Sequence, residues 1–530
     1  MRKLMRVGAA SLAMAGAAWS QPTGVVSSPH NLSAGGPGAI RAASEEEVCI
    51  FCHAPHGSAP IRPLWNRAMP TEAYTIYGSR ALDATLGQPT GSSKMCLSCH
   101  DGTIALGAVV SRTGEITMSG GVRTMPEGRS RLGTDLSDDH PVSFRYEPSL
   151  ATKDAHLRSP NSLPSAVRLD ANGELQCTTC HDAHSNSNGA FLVMQHDGTR
   201  LCVSCHAMGT TAVTGHGSCS DCHQPHTAPS GPYLLKRGTV TATCVSCHDG
   251  SVSGAADIRA DLNKAHAHDT GSPVDPPDPA REHATCTSCH EPHTMGRGGA
   301  TAGVLHPNFG RIGGVNASGA AVSVASSEAE VCFACHAEGS VPRPVVSRQV
   351  AQSNTRLEFA PGAASFHPVL SQGKNPDVPS LKPGWSEASM VQCSDCHASD
   401  GGGARGTHGS MQTGLLKARY ETMDPSTETE SAYALCYQCH DRASILEDRS
   451  FRGHRRHIVD LRTPCATCHD AHGISSAQGS ELSHSRLINF ATSAVGPDPA
   501  TGRMEFRLLG SRSGECFLSC HGVAHSPKGY

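Results

Sequence analysis

The stretch from residue 177 to residue 206, CTTCHDAHSNSNGAFLVMQHDGTRLCVSCH, contains the pattern Cys-x-x-Cys-His twice. Two cysteines at this spacing in a helical turn present both sulfurs on one side. The pattern is the attachment site of a c-type haem, in which the sulfurs form thioethers and the histidine is the proximal iron ligand. The stretch therefore predicts two covalently bound haems close together in the chain.

The same pattern accounts for every cysteine in the protein. The chain has 530 residues and 24 cysteines, and all of them fall in close pairs followed by histidine. Disulfide frameworks and zinc sites built from paired cysteines do not require that histidine. We therefore predict twelve haem c groups, numbered here as motifs 1 to 12 in chain order. The attachment cysteines and proximal histidines are Cys49/Cys52/His53, Cys96/Cys99/His100, Cys177/Cys180/His181, Cys202/Cys205/His206, Cys219/Cys222/His223, Cys244/Cys247/His248, Cys286/Cys289/His290, Cys332/Cys335/His336, Cys393/Cys396/His397, Cys436/Cys439/His440, Cys465/Cys468/His469 and Cys516/Cys520/His521.

Motif 12 differs from the others, because three residues separate its two cysteines. Cys516 and Cys520 keep the i, i+4 spacing of one helical turn, so we count this motif as a haem site.

The composition agrees with an interior made of porphyrin. The chain has 11 Phe, 8 Tyr and 3 Trp against 55 Gly and 34 Pro, and its hydrophobic fraction is 38%. Ordinary domains reach roughly 45–50%, a figure that includes glycine. We expect a multihaem cytochrome c fold with low regular secondary structure, short α-helices at the haem motifs, a few β-hairpins and an elongated, haem-stacked chain. Hairpins are predicted at Val167–Gln176, around Asn172-Gly173, and at Arg112–Met118.

Residues 1–20 form a predicted signal peptide, with basic residues before a short apolar run and small residues at the cleavage site. We therefore expect an exported protein, periplasmic, extracellular or associated with the outer membrane. The mature chain divides into three predicted blocks, residues 21–160 with motifs 1–2, residues 161–340 with motifs 3–8 and residues 341–530 with motifs 9–12. Pro/Gly-rich stretches at Gly271–Ala280 and Pro376–Gly384 are predicted loops. The net charge of −4 gives no basic footprint, so no nucleic-acid partner is expected.

The histidines outside the motifs reveal a repeat of two motifs. Of the 32 histidines, 20 lie outside the motifs, and five follow a proximal histidine by three residues. A histidine at this spacing can ligate the iron of a neighbouring haem. We expect six repeats, each with an upstream histidine, a motif with a second histidine after it, an apolar patch and a plain motif. The candidate distal ligands are His30, His140, His216, His283, His367 and His457 upstream, and His56, His184, His226, His293, His408 and His472 downstream.

Some of these assignments have alternatives. His454 competes with His457, His266 and His268 compete with His283, and His408 replaces the missing second histidine of the fifth repeat. His484 and His525 remain unassigned. The tally of twelve candidates for twelve irons favours bis-histidine ligation throughout.

The repeat resembles the doubled-CxxCH motif of multihaem c-type cytochromes. The segments CIFCHAPHG (residues 49–57), KMCLSCHDGTIALG (94–107), DLSDDHPVSF (135–144) and CHDAHG (468–473) are similar to that family's characteristic stretches. The likeness covers nearly all of the mature chain. It departs from the family in the wide gaps between the motifs of four repeats, the displaced histidine of the fifth repeat and the expanded motif 12.

The resemblance implies electron transfer in anaerobic or extracellular respiration, with redox proteins as donors and acceptors and an extracellular metal or mineral as a further acceptor. We expect a conduit or electron store without its own substrate site. One alternative is an oxidoreductase in which one open haem, with motif 12 as the candidate, reduces a nitrogen or sulfur oxyanion. Another alternative is a subunit of an extracellular cytochrome filament or of a complex with an outer-membrane porin.

Overall fold

The computed structural model describes residues 24–56, 64–209, 216–270, 284–296, 298, 303–338 and 345–530. The predicted signal peptide, the predicted loop at residues 271–280 and His283 lie outside the described residues. The chain divides into two compact units, one formed by Met1–Met208 with His223–Leu234 and the other by Gly209–Cys222 with Leu235–Tyr530. The three blocks drawn from the sequence stay a prediction.

Helices are short, and most of them coincide with a haem motif. The α-helices are α1 (Gly91–His100), α2 (Pro148–Lys153), α3 (Cys177–Cys180), α4 (Cys219–Cys222), α5 (Val240–Val245), α6 (Ile258–Leu262), α7 (Glu328–His336), α8 (Thr355–Glu358), α9 (Cys393–Cys396), α10 (Arg442–Leu446) and α11 (Cys465–Cys468). Tight 3-10 turns cover the motifs at Cys49–Phe51, Cys202–Ser204, Cys286–Ser288 and Cys436–Gln438. Short helices therefore occupy motifs 1 to 11, as predicted. None of the described helices is long and apolar enough to cross a bilayer.

Motif 12 lies on a β-strand, so the predicted helical turn at Cys516 and Cys520 is wrong. Both cysteines belong to β13 (Ser513–Cys520), the centre of an antiparallel sheet with β11 (Val495–Gly496), β12 (Glu505–Gly510) and β14 (Val523–Gly529). The cross-strand pairing of this sheet overrides the local i, i+4 pattern, because each strand residue pairs with a neighbouring strand. An ordinary strand rises about 3.3 Å per residue, so the two cysteines are much farther apart than in a helical turn.

The remaining strands are two residues long. They are β1 (Thr75–Ile76), β2 (Asp135–Leu136), β3 (Phe144–Arg145), β4 (Glu174–Leu175), β5 (His266–Ala267), β6 (Gly314–Val315), β7 (Ala321–Val322), β8 (Ser365–Phe366), β9 (Gly409–Ser410) and β10 (Gly473–Ile474). β1 pairs with β2 in parallel, and β3–β4, β5–β9, β6–β7 and β8–β10 are antiparallel.

The two predicted hairpins do not form. The turn at Asp170–Gly173 is present, with Gly173 at φ 74° and Asp170 N–H donating to the Glu174 carbonyl (3.0 Å), but the strand that pairs with β4 is β3. Around Arg112–Met118, Met118 instead bridges Ala42. In both places a distant segment provides the pairing partner, which a local turn pattern does not reveal.

The apolar core is divided into small clusters that border the attachment cysteines. One cluster of Phe51, Leu106, Met118 and neighbours packs against Cys52 and Cys99. Another, around Phe490 and Phe506, packs against the cysteines of motifs 11 and 12. Each cluster is far smaller than the core of an ordinary domain, so the chain depends on the haems to complete its interior.

We predict that the haem-free chain does not fold cooperatively. Without the thioether and iron bonds, the small clusters bury too little apolar surface to offset the conformational entropy of the chain. Circular dichroism during heating should show a cooperative transition for the haem-loaded protein and only a gradual change for protein made without cytochrome c maturation. A sharp transition in the haem-free protein would contradict this expectation.

Candidate functional site

Nine proximal histidines face a second histidine across a gap of nearly constant width. The ring centroids are 5.9 to 6.3 Å apart in all nine pairs. Two imidazoles that each place a nitrogen about 2 Å from one metal ion, on opposite sides, have centroids about 6 Å apart. The gap therefore fits one axially ligated iron. The pairs are His30–His100, His53–His184, His140–His206, His181–His226, His216–His248, His268–His336, His290–His408, His397–His472 and His454–His469.

Hydrogen bonds at Nδ1 orient many of these rings. Backbone carbonyl oxygens lie within hydrogen-bonding distance of Nδ1 in several rings. The distances are 3.2 Å from His30 to Ala183, 2.6 Å from His100 to Ser130 and 2.9 Å from His290 to Asn308. Carboxylates occupy the same position beside His226 and His472. A partner at Nδ1 directs Nε2 of each ring towards the metal position, which is the usual arrangement around a metal-bound histidine.

The apolar patch between the motifs of a repeat orients the proximal histidine of the first motif. In the second repeat, His181 ends α3 in an extended conformation, bridges Leu192 and has its Nδ1 2.9 Å from the Ala190 carbonyl. Ala190 has a φ of 46°, so the chain turns sharply there. His397 and His469 bridge their own patches in the same way. The sequence marked these patches as part of the repeat but did not reveal their role.

Downstream histidines connect one repeat to the next. His184, His226, His408 and His472 each face the proximal histidine of the motif two places earlier, which are His53, His181, His290 and His397 in that order. Most upstream histidines instead reach the second motif of their own repeat, as His30 and His140 do with His100 and His206. His454 differs, because it faces His469 in the first motif of its repeat. Neighbouring repeats are therefore interlocked wherever both histidines of such a pair are described.

Among the described alternatives, His268 and His454 each face a proximal histidine. His268 faces His336, whereas its competitor His283 lies outside the described residues. His454 faces His469, whereas His457 contacts the Tyr530 ring.

Three further distal candidates are described, and these are His367, His293 and His56. Burial, followed by the nearby His367, lowers the pKa of His440 to about 4. Nδ1 of His293 lies 2.9 Å from a Glu291 carboxylate oxygen. His56 is exposed.

Burial keeps several of these imidazoles neutral near pH 7. Desolvation, with a smaller effect of nearby histidines, lowers the pKa of His140, His397 and His408 to about 4 and of His454 to about 3. Only a neutral imidazole has an unprotonated ring nitrogen whose lone pair can bind a metal. The buried rings are therefore in the form that ligates iron.

A cavity in the first compact unit has a largely apolar lining, to which Leu97, Leu136 and Val142 contribute. Cys177 and His226 lie at the same cavity, so it contains one attachment cysteine of motif 3 and the histidine opposite the proximal ligand of that motif.

Cysteines of successive motifs contact each other in a regular alternation. Second cysteines are electrostatic neighbours within a repeat, and first cysteines are neighbours between one repeat and the next. The neighbouring second cysteines are Cys52–Cys99, Cys180–Cys205, Cys222–Cys247, Cys289–Cys335 and Cys396–Cys439, and Cys468 neighbours both cysteines of motif 12. The neighbouring first cysteines are Cys96–Cys177, Cys244–Cys286, Cys332–Cys393 and Cys436–Cys465.

Motif 12 shares the cysteine proximity, but its histidine has different surroundings from the other proximal histidines. Nε2 of His521, the atom that would bind iron, lies 3.0 Å from Asp424 Oδ1 and 3.2 Å from Thr463 Oγ1. In the described part of the chain, no ring contact joins His521 to another histidine. The residues of motif 12, as folded here, do not have the bis-histidine geometry of the other sites.

One small ladder carries two histidines that face proximal ligands. β5 and β9 pair directly beside His268 and His408, and Nδ1 of His268 lies 2.9 Å from the Thr407 carbonyl. Gly409 in β9 has no space for a side chain, because an added Cβ would lie 1.8 Å from the Asp261 carbonyl oxygen. The sequence did not indicate this ladder, although a glycine directly after His408 was a visible signal.

The comparisons with known proteins agree with this geometry. Residues 171–210 and 212–252 match the family model described as doubled CXXCH motif, and the two matches coincide with the second and third predicted repeats. Residues 316–485 match the model described as outer membrane cytochrome MtrC/MtrF-like, domains II/IV. No curated protein matches the chain.

We predict that Gly409→Ala disturbs the haems of motifs 7 and 8 together. The added methyl group has to displace backbone, which typically costs about 1–3 kcal/mol, and it moves the ladder beside His408 and His268. High-spin ferric signals should appear in the electron paramagnetic resonance spectrum of the oxidised protein. Gly362→Ala is the matched control, because its Cβ meets no atom within 4 Å. Equal low-spin spectra for both variants would contradict the role given to the ladder.

We also predict two classes of low-spin spectrum. The ring planes are close to parallel in His53–His184 (13°) and in His290–His408 (19°), and close to perpendicular in His140–His206 (82°). Parallel imidazole planes produce a rhombic low-spin signal, whereas perpendicular planes produce a signal dominated by one low-field g value. The oxidised protein should show both signals. A single rhombic class would contradict the ring orientations.

Proposed function

We propose that this chain, which is a multihaem c-type cytochrome, transfers electrons through twelve covalently bound haems that follow the order of the motifs within each compact unit. The observation that carries the proposal is the alternating contact between cysteines of successive motifs. A haem with two imidazole ligands exchanges one electron at its iron and leaves no position open for substrate. The role of the polypeptide is to hold the attachment cysteines of one motif beside those of the next motif.

We assign the nine facing histidine pairs as axial ligands of motifs 1–4, 6–9 and 11. His367 is the proposed distal ligand of motif 10, supported by its electrostatic influence on His440. His293 stays a candidate distal ligand without an assigned motif. These assignments make the protein an electron conduit or store.

We propose that the protein works outside the cytoplasm, in association with the outer membrane. The signal-like segment at residues 1–20 and the match to an outer membrane cytochrome model support this location. Redox proteins are its proposed donors and acceptors, and an extracellular metal or mineral is a proposed final acceptor. Filament assembly or docking to a porin would extend the same function.

A second candidate function belongs to motif 12 alone. Its cysteines lie on a strand and Nε2 of His521 faces Asp424, so an iron attached there would lack a histidine pair. An iron with an open position is able to bind and reduce a small oxyanion. Binding of carbon monoxide to the reduced protein, lost in the variant Cys516→Ala with Cys520→Ala, would favour this candidate.

The conduit is tested by removing one internal haem. Cys332→Ala with Cys335→Ala removes the haem of motif 8, and the single-molecule conductance of the holoprotein should fall by at least an order of magnitude. Gly362→Ala is the control, because it changes no haem motif and its added Cβ meets no atom within 4 Å. Haem analysis of both variants establishes that one haem at most is lost. Unchanged conductance after the loss of motif 8 would contradict a single ordered path.

A further inference from the structure

Arg67 is a fully buried guanidinium, with 0% of its surface exposed. It donates to the Leu106 carbonyl (2.8 Å), to the Ala105 carbonyl (2.9 Å) and to both the carbonyl (2.9 Å) and the hydroxyl (3.2 Å) of Ser98. All of these acceptors are neutral, and no ion pair joins Arg67 to a carboxylate among the described residues. Arginine does not lose its proton in proteins, so this side chain is a buried positive charge that none of the described carboxylates pairs with directly.

This charge lies beside the attachment cysteines of motifs 1 and 2. Burial raises the pKa of Cys52 to about 12 and raises that of Cys99, and in both cases the Arg67 charge opposes the increase. Cys52 and Cys99 also pack against the same cluster as Leu106, whose carbonyl accepts from Arg67. Ser98, the other acceptor, directly precedes Cys99 in motif 2.

The hydrogen bonds of Arg67 leave it poorly suited to bind a haem propionate. Four of its five N–H groups have a described use, and a bidentate pair with a carboxylate needs two parallel donors. The positive charge therefore has no carboxylate paired with it, although the buried Asp101 acts on Cys99 in the opposite direction. An isolated buried charge is costly to the fold, so its position calls for a functional explanation.

Arg348 provides an internal comparison in the second compact unit. Its guanidinium also donates to backbone carbonyls, those of Ala466 (2.6 Å) and Asn489 (2.9 Å), beside motif 11. Its Nε lies 3.7 Å from Asp470 Oδ2, so a carboxylate compensates this charge. Both arginines donate to backbone carbonyls, but only Arg348 has a carboxylate within ion-pair distance.

We propose that Arg67 raises the reduction potentials of the haems at motifs 1 and 2, an inference that rests on the proposed haem array. Ferric haem is one charge more positive than ferrous haem, so a nearby fixed cation favours the reduced form. A unit charge about 10 Å away, at an effective dielectric constant of about 20, changes a one-electron equilibrium roughly tenfold. Electrons therefore accumulate on these two haems in preference to haems without such a charge.

The test compares Arg67→Gln with Arg67→Lys in the holoprotein. Both variants lose the guanidinium hydrogen bonds, but only Arg67→Gln loses the charge. In a spectroelectrochemical titration, Arg67→Gln should lower the reduction potentials of two haems by about 59 mV. For one electron, this shift corresponds to a roughly tenfold change in the ferric-to-ferrous ratio. Arg67→Lys should titrate close to the parent protein. A parent-like titration of Arg67→Gln, or equal shifts in both variants, would overturn the proposal.

A second pair of variants covers the case in which the Arg67 variants do not assemble. Ser98→Asp places a carboxylate beside the retained guanidinium, and Ser98→Asn is its neutral control of the same shape. The Asp variant should lower the same two potentials and the Asn variant should not. No shift in the Asp variant would mean that a charge at this place does not reach the irons, which overturns the proposal. Haem content and low-spin spectra, measured on the parent protein, report separately on the proposed array.

Discussion

The fold depends on one recurring requirement: in the nine described pairs, a proximal histidine and a second histidine face each other across a gap that fits one iron. The motif supplies the proximal histidine and both thioether sulfurs, but the second histidine comes from another repeat or from an upstream loop. In His53–His184 the two partners are more than a hundred residues apart in the chain, and their ring centroids are 6.0 Å apart. Such pairs perform the task that packed side chains perform in an ordinary domain. This explains how a chain with so few aromatic residues and such short strands has a defined structure.

The requirement also explains the local architecture. A helix of four residues is sufficient to bring two sulfurs to one side, and α3, α9 and α11 all have this length. Each ends at its proximal histidine, where the extended backbone brings the ring to a carbonyl of the following patch. The two-residue ladders then fix the loops that carry distal candidates, as β5 and β9 do for His268 and His408. Regular secondary structure is therefore used where a ligand needs positioning.

The sequence predicted the features that are local and covalent. The helices at motifs 1 to 11 and the turn at Asp170–Gly173 follow from short-range spacing, and the structure contains them. His454, rather than its neighbour His457, faces His469. This depends on the direction in which a ring leaves a helical turn, which spacing does not reveal. The strand at Cys516 and Cys520 depends on pairing with β12 and β14, which is stronger than a local helical pattern. The sequence also did not predict that Arg67 is buried, because its acceptors include backbone carbonyls and no sequence motif marks them.

The central claim is that the irons follow one another in the order of their motifs. Anomalous diffraction at the iron edge, from crystals of the holoprotein, locates every iron without reference to the polypeptide. Within each compact unit, the account predicts that each iron has the irons of the preceding and following motifs as its nearest neighbours. A branched arrangement, or nearest neighbours from motifs distant in the chain, would contradict it.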